Sequence, residues 1–440
     1  MSPPMSAMTE TSSPAISNER SGAAAMSAAL PSLSGADWLV APAVRRIFAV
    51  LAADSHETRV IGGAVRNALM GDAVREIDFA TTATPDEVAA LAAAAGLKTV
   101  PTGVDHGTLT VVVDGRGYEV TTLRQDIATD GRHAVVRFGR DWTADAMRRD
   151  FTVNALSVDA EGTVHDPVRG YPDILQRRIR FIGDADRRIA EDRLRILRFL
   201  RFSAQYGDGT VDPAGLAASV RARDGLRSLS GERIGNELRR LVVAPRAAEM
   251  VVLMQEAGIL GVVLAGVGYV AQFARLVRFE TAVGAEAEVS SRLSVLACRI
   301  IEDVERITAR LRLANAERDR LAAALAARAA FTPLPGGRAA RAALYRLRQP
   351  AWRDGLGLAF AEGTAVPEDA AWKALYDLPD TWTVPRFPLS GRDVIGSVTP
   401  SGPLVGAMLR SVEAWWIAQD FIPDERALRA RLQQELASAQ

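Results

Sequence analysis

"RVIGGAVRNALMGDAVREIDFATTATPDEV", residues 59–88, decides how the N-terminal part of the chain is read. A strand at Arg59–Ile61 runs into Gly62-Gly63, a helix follows, and a second strand covers Glu76–Ala80. Backbone amides at a glycine turn opening a helix can hold an anion; alternatively, the glycines serve only the angles of the turn. Arg66, one turn into the helix, points back toward the same place because helical side chains tilt toward the N-terminus; otherwise it is a surface cation. Glu76 and Asp78 stand two residues apart and share one face of their strand, while Ile77 and Phe79 take the core side. Such a pair either binds a cation or stays solvated at an edge. Thr84-Pro85-Asp86-Glu87 then opens another helix, with a capping hydroxyl, proline at the first position and an acid three residues after the cap.

Working outward, a helix over Ala41–Ala52 precedes this stretch. Two alternating runs, Thr108–Val113 and Tyr118–Leu123, flank Asp114-Gly115-Arg116-Gly117 and predict a hairpin. Glu119 lies on its second strand and joins the acidic pair if the sheet brings these strands together. Three carboxylates beside a phosphate-binding turn suit Mg²⁺, which takes oxygen ligands; two such ions about 4 Å apart serve in-line phosphoryl transfer. A polar segment, Gln125–Asp145, precedes a short strand pair near Ala155–Val158 and Thr163–His165. After Tyr171 strand signals stop and amphipathic helices follow, with Pro333–Gly337 as a candidate break. The fold class is therefore α+β, a small mixed sheet followed by an all-helical remainder. In "EDRLRILRFLR", residues 191–201, Asp192, Arg195, Arg198 and Arg201 recur every three residues on a helix. In isolation that pattern is a salt-bridge ladder.

The chain has 440 residues, 48% hydrophobic and 24% charged, with zero formal net charge. That is enough for two or more cores and gives no whole-molecule basic field. No run approaches the ~18 apolar residues of a membrane helix. The single Cys298 excludes an intramolecular disulfide and a cysteine-ligated zinc, and fits a reducing cytoplasm. Lysine occurs only at Lys98 and Lys373; the arginine excess follows codon bias, although arginine also favours bidentate phosphate recognition. Residues 1–36, rich in Ser, Ala, Pro and Met, read as a disordered extension without a signal-peptide pattern. Met5, Met8 and Met26 each allow a later start.

Eight segments set the family. "GGAVRNALMG" (62–71), "EIDFATTATPDEV" (76–88), "HGTLTVVV" (106–113), "YEVTTLRQD" (118–126), "DGRHAVVRF" (130–138), "RRDFTVNALSVD" (148–159), "EDRLRILRFLRFSAQYG" (191–207) and "SLSGERIGNELRRLV" (228–242) occur in a distinctive order. In that order the chain resembles the bacterial-type (class II) CCA-adding tRNA nucleotidyltransferases and the related bacterial poly(A) polymerases. The resemblance covers roughly residues 40–250 and returns in "LSGRDVIGSVTPSGPLVGAMLRSVEAWW" (389–416). It implies a nucleotidyltransferase head (37–172), a helical neck (173–250), body (251–345) and tail (346–440), the helical part being elongated. By the resemblance, Gly62, Gly63 and Arg66 hold the triphosphate. Glu76 and Asp78 bind Mg²⁺ and, with Glu119, are catalytic. Arg149 and Asp150 match the ribose-recognising motif. Asp192 and Arg195 match the base template, with Arg198 and Arg201 nearby on the nucleotide.

The chemistry of that template is legible. Cytosine and adenine each present an amino donor beside a ring-nitrogen acceptor, which a carboxylate and a guanidinium complement. Uracil and guanine reverse the order and leave buried groups unpaired, at ~1–3 kcal/mol each. The implied activity is addition of the 3′-terminal CCA of tRNA from CTP and ATP. Alternatives are a poly(A) polymerase, an enzyme adding only CC or only A, or a non-catalytic RNA-binding relative. Two residues depart from the family pattern: Glu76 stands where Asp is usual, and Asn67 replaces the Asp usual after Arg66. The four histidines are scattered, with no His-Asp pair in the helical half, so the phosphohydrolase domain of some relatives is not expected. His106 and His133 fall within family motifs and are read as structural.

Overall fold

The computed structural model describes residues 29–103, 107–129, 134–395 and 402–438. The chain forms two compact units, residues 1–127 with 136–176, and residues 128–135 with 177–440.

The first unit opens with α1 (Asp37–Val40) and α2 (Pro42–Leu51). In α2, Val44, Ile47, Phe48 and Leu51 form a buried stripe at helical spacing. Next come β1 (Thr58–Ile61), α3 (Gly63–Met70), β2 (Asp78–Thr81), α4 (Pro85–Ala94), β3 (Lys98–Gly103), β4 (Thr108–Val113) and β5 (Arg116–Thr122). They are followed by β6 (Arg124–Thr129), β7 (Ala134–Phe138), α5 (Trp142–Met147), β8 (Ser157–Val158), β9 (Val164–His165) and α6 (Tyr171–Leu175). Seven strands make one sheet in the order β3-β4-β5-β2-β1-β8-β9, while β6 and β7 form a separate pair. Only the β2–β5 pairing is parallel, so the sheet is mixed, as expected. Phe79 is fully buried and packs edge-on against Phe48 and Tyr118, fastening α2 to the sheet. The Thr84 capping box on α4 is present, with Glu87 bonding back to the Thr84 amide at 2.7 Å.

Three strands lack a clear sequence signal. β3 is an exposed edge strand carrying Lys98 and Pro101, devices that blunt an edge and mask alternation. The segment expected to be merely polar, Gln125–Asp145, contributes β6 and β7. At the N-terminus, Ser32 bridges Thr163 and the Leu33 amide donates to the Gly162 carbonyl at 2.8 Å. Residues 32 and 33 therefore pair with the second hairpin, although the whole of 1–36 is expected to be disordered.

Among its described residues from 177 onward the second unit contains no strand. It starts with α7 (Ala185–Glu191), α8 (Arg195–Tyr206), α9 (Pro213–Ala222) and α10 (Gly231–Val242), and further helices run to Ser438. α8 buries Ile196, Leu197, Phe199 and Leu200 and packs on α10, which buries Ile234, Leu238 and Leu241. The chain is non-helical between Phe331 and Gly337, at the expected break.

Candidate active site

In the first unit β1 ends opposite Asp78, in the register Ile61↔Asp78, and the chain turns at Gly62. Gly62 has φ 65° and ψ −118°, a conformation that demands glycine. A β-carbon there would lie 3.7 Å from Arg149 Nη1, and one at Gly63 would lie 3.7 Å from Arg66 Nη2. The turn, the first residues of α3 and both guanidinium groups thus share one neighbourhood. Arg66 is only 6% exposed. Its Nε and Nη2 donate to Asn67 Oδ1 at 3.2 and 2.9 Å, and its Nη1 donates to Asn154 Oδ1. Asn67 Oδ1 thus holds two of the three guanidinium nitrogens.

The acids need one correction. Glu76 lies outside the strand: β2 begins at Asp78, and Glu76 is exposed in the segment before it. The reason is that β1 has already turned away at Gly62, leaving nothing on that side for Glu76 to pair with. The parallel register Phe79↔Val120 carries Glu119 up beside Asp78. Burial first, and then the charges of Glu119 and Glu76, push the Asp78 carboxyl up to about 6, and Arg149 opposes them. Among the described residues no three acids, histidines or cysteines gather tightly enough to make a preformed metal cage. The donors are nonetheless all carboxylate oxygens with mutually repelling charge, and that suits a hard divalent cation that keeps water or phosphate in its shell.

A pH dependence follows. Between its ordinary value of 3.8 and about 6, folded Asp78 holds more proton than the unfolded chain. Stability without metal therefore falls as pH rises through that window. A divalent cation held by these carboxylates would have to displace that proton, so added Mg²⁺ is expected to raise Tm near pH 7.5 and to lose most of this effect near pH 5. Thermal melts with and without Mg²⁺ at both pH values check this; equal Mg²⁺ shifts would refute it.

Asp145, on α5 and 3% exposed, holds two arginines at once. Arg148 Nη2 lies 2.7 Å from its Oδ1 and Arg149 Nη2 lies 2.8 Å from its Oδ2. These guanidinium groups keep the Asp145 carboxyl below its ordinary range despite burial. Asp150 is buried, and its Oδ1 accepts from the Phe151 amide at 2.9 Å and from Asn154 Nδ2 at 3.1 Å. Asn154 thus links Asp150 to Arg66.

In the second unit the expected helical ladder is interrupted. Asp192 lies outside α8; it follows α7 with φ −153° and ψ 111°. Its Oδ1 accepts from the Leu194 amide at 3.0 Å, a local side-chain-to-backbone bond that competes with helix. Its Oδ2 meets Arg233 Nη2 at 2.7 Å. Arg195 opens α8, with Nη1 on Glu191 Oε2 at 2.6 Å and on the Arg188 carbonyl at 2.8 Å. Arg198 Nη1 lies 3.7 Å from Glu237 Oε1. Arg201 and Glu237, 8% and 6% exposed, form a buried ion pair. The Glu191–Arg195 pair at i, i+4 and the relative exposure of Arg198 fit the ladder; Asp192 and Arg201 do not.

Sequence reasoning missed Asp145, Asn154, Glu191, Arg233 and Glu237 as partners of the site residues. The Asp145-to-Arg149 spacing was a usable i, i+4 signal. Arg233 and Glu237 stand in a quoted motif, but their pairing across 41 and 36 residues needs the fold. His106 and His133 lie outside the described residues.

Known proteins of similar sequence and fold give the family. The Poly A polymerase head domain family matches residues 58–180. The human protein named CCA tRNA nucleotidyltransferase 1, mitochondrial, is 32% identical over 82% of this chain and 83% of its own length. Its zebrafish counterpart is 43% identical over 206 residues, 46% of this chain and about half (48%) of that relative. The crystal structure of the Bacillus stearothermophilus CCA-adding enzyme in complex with CTP superposes with a TM-score of 0.68 at 26% identity, covering 90% of this chain and 98% of that one. These matches define the class of the chain as a nucleotidyltransferase. The chain belongs to the CCA tRNA nucleotidyltransferase family.

Proposed function

We propose that this enzyme builds or repairs the 3′-terminal CCA of tRNA from CTP and ATP. The tRNA 3′-hydroxyl attacks the nucleotide α-phosphorus and pyrophosphate leaves. Catalysis rests on positioning and charge stabilisation. The observation that carries the reading is the half-buried Asp78, crowded by Glu119 and Glu76 and faced by Arg149 beside the Gly62 turn. The Gly62 and Gly63 amides with Arg66 hold the triphosphate, and Arg149 and Asp150 address the ribose. Asp78 and Glu76, with Glu119, would hold Mg²⁺, which supplies neutralisation of charge on the transferring phosphate. Asp192 and Arg195 read the base edge, with Arg198 close by; the buried pairing of Arg201 suits support of α8. The helical part grips tRNA by backbone and shape, since duplex RNA offers little sequence in its accessible groove.

Among the described residues no helix is long and apolar enough to cross a membrane. The free, buried Cys298 thiol suits the cytoplasm as the working compartment.

Incubation with tRNA lacking CCA, given CTP and ATP together and then each nucleotide alone, tests the reading. A product that stops after CCA supports it; an unbounded A ladder supports the poly(A) alternative, and a stop after CC or only A supports a split activity. The Glu76 departure has its own test. Because Glu76 is exposed before the strand, Glu76→Asp should keep kcat/KM within about threefold or raise it, a change of under ~1 kcal/mol. A collapse would show that the local backbone is built around the longer side chain.

A further inference from the structure

Arg66 is buried on α3 with its guanidinium turned toward the start of that helix. Two neutral side chains from distant parts of the unit accept from it. Asn67 Oδ1 takes both Nε and Nη2, and Asn154 Oδ1 takes Nη1. Each asparagine is itself anchored by its amide. Asn67 Nδ2 donates to the Ala73 carbonyl at 3.1 Å, and Asn154 Nδ2 donates to Asp150 Oδ1 at 3.1 Å. The guanidinium plane is therefore set by a relay running from the segment after α3, through Arg66, to Asp150.

We propose that Asn67 and Asn154 are positioning residues for nucleotide binding: their carbonyl oxygens fix the Arg66 guanidinium toward the triphosphate. The proposal rests on Arg66 being a triphosphate ligand. The physical logic concerns what a neutral acceptor does. An amide oxygen orients a guanidinium by hydrogen bonding without adding the countercharge that a carboxylate brings. Fixing the fork beforehand removes the entropy of ordering a long side chain when the nucleotide arrives. Because the triphosphate is held in the ground state and the transition state alike, losing this order should act on KM and spare kcat.

The two functions of Asn67 can be separated. Asn67→Ala removes both its acceptor to Arg66 and its donor to Ala73. Asn67→Asp keeps the acceptor, removes the donor and adds the countercharge of a carboxylate. The expected result is a rise of about tenfold in KM for CTP and ATP alike in Asn67→Ala, with kcat within about twofold, and recovery to within about threefold of wild-type KM in Asn67→Asp. In an Arg66→Ala background, Asn67→Ala should change nothing further, since both act through one guanidinium.

Equal damage in Asn67→Ala and Asn67→Asp would assign Asn67 to the Ala73 tether and overturn the proposal, as would additive effects of Asn67→Ala and Arg66→Ala. If Asn67→Ala proves too unstable to assay, Asn67→Ser, whose hydroxyl is too short to make the same bonds, gives the same cycle in wild-type and Arg66→Ala backgrounds, and additivity there overturns the proposal equally. Arg66→Ala alone tests the underlying reading. Unchanged KM in that variant removes Arg66 from the nucleotide site, whereas a raised KM with a silent Asn67→Ala rejects only the positioning role.

Discussion

Asp78→Asn should abolish incorporation of both CTP and ATP, by at least about 10³-fold, while the protein becomes no less stable. The two effects share one cause. Asp78 sits where burial and the charges of Glu119 and Glu76 all disfavour its ionised form. A carboxyl whose folded pKa is raised destabilises the fold once it is charged, and at pH 7 it is charged. The neutral isostere relieves that penalty, so Tm without metal should hold or rise. The same substitution removes the ligand that makes the acids useful, so the Mg²⁺-dependent part of Tm should vanish. tRNA affinity should stay within about twofold, because RNA grip is spread over backbone contacts elsewhere. Single-turnover incorporation, melting with and without Mg²⁺ and tRNA titration measure the three quantities. Residual activity that is equal with and without Mg²⁺ would end the metal assignment; a large fall in Tm would make Asp78 structural.

The second large effect concerns nucleotide choice. Asp192→Ala should lower discrimination against UTP and GTP about tenfold or more, as the ~1–3 kcal/mol of an unpaired buried group implies. Arg195→Ala should depress use of CTP and ATP together. Stability should hardly register the first change. Asp192 and Arg233 are both partly exposed, and such pairs are worth about 0–1 kcal/mol. Arg201→Ala is the instructive contrast. It takes from the buried Glu237 its close partner and leaves only Arg198 at 3.7 Å, a loss of up to about 3–5 kcal/mol, so its activity loss should track unfolding and leave selectivity intact. Steady-state kinetics with four nucleotides, beside chemical denaturation, separates reading of the base from support of the helix. Unchanged selectivity in a folded Asp192→Ala protein would leave this segment as ion-pair scaffolding.

Local code carried much of this protein. The glycine turn, the Thr84 cap, the Thr108–Thr122 hairpin and the switch to helices after Tyr171 depend on residues within a few positions of each other, and each is where the sequence places it. The ordered motifs supplied the family. Edge strand β3 escaped because the residues that protect an edge also erase its alternation. Spacing also misplaced two acids, Glu76 and Asp192. A strand ends where its partner turns away, and a helix start can be displaced by one side-chain bond to the backbone. The electrostatics lay further out of reach. The elevated Asp78 carboxyl needs the β2–β5 register, Arg66 finds Asn154 across 88 residues, and Arg201 finds Glu237 across 36. Sequence alone determined the family, most of the secondary structure and the candidate residues for the chemistry. Tertiary structure alone decided which of those charges are desolvated and paired, because Coulomb energy and hydrogen bonding depend on separation in space and on the surrounding dielectric, and neither is a property of chain order.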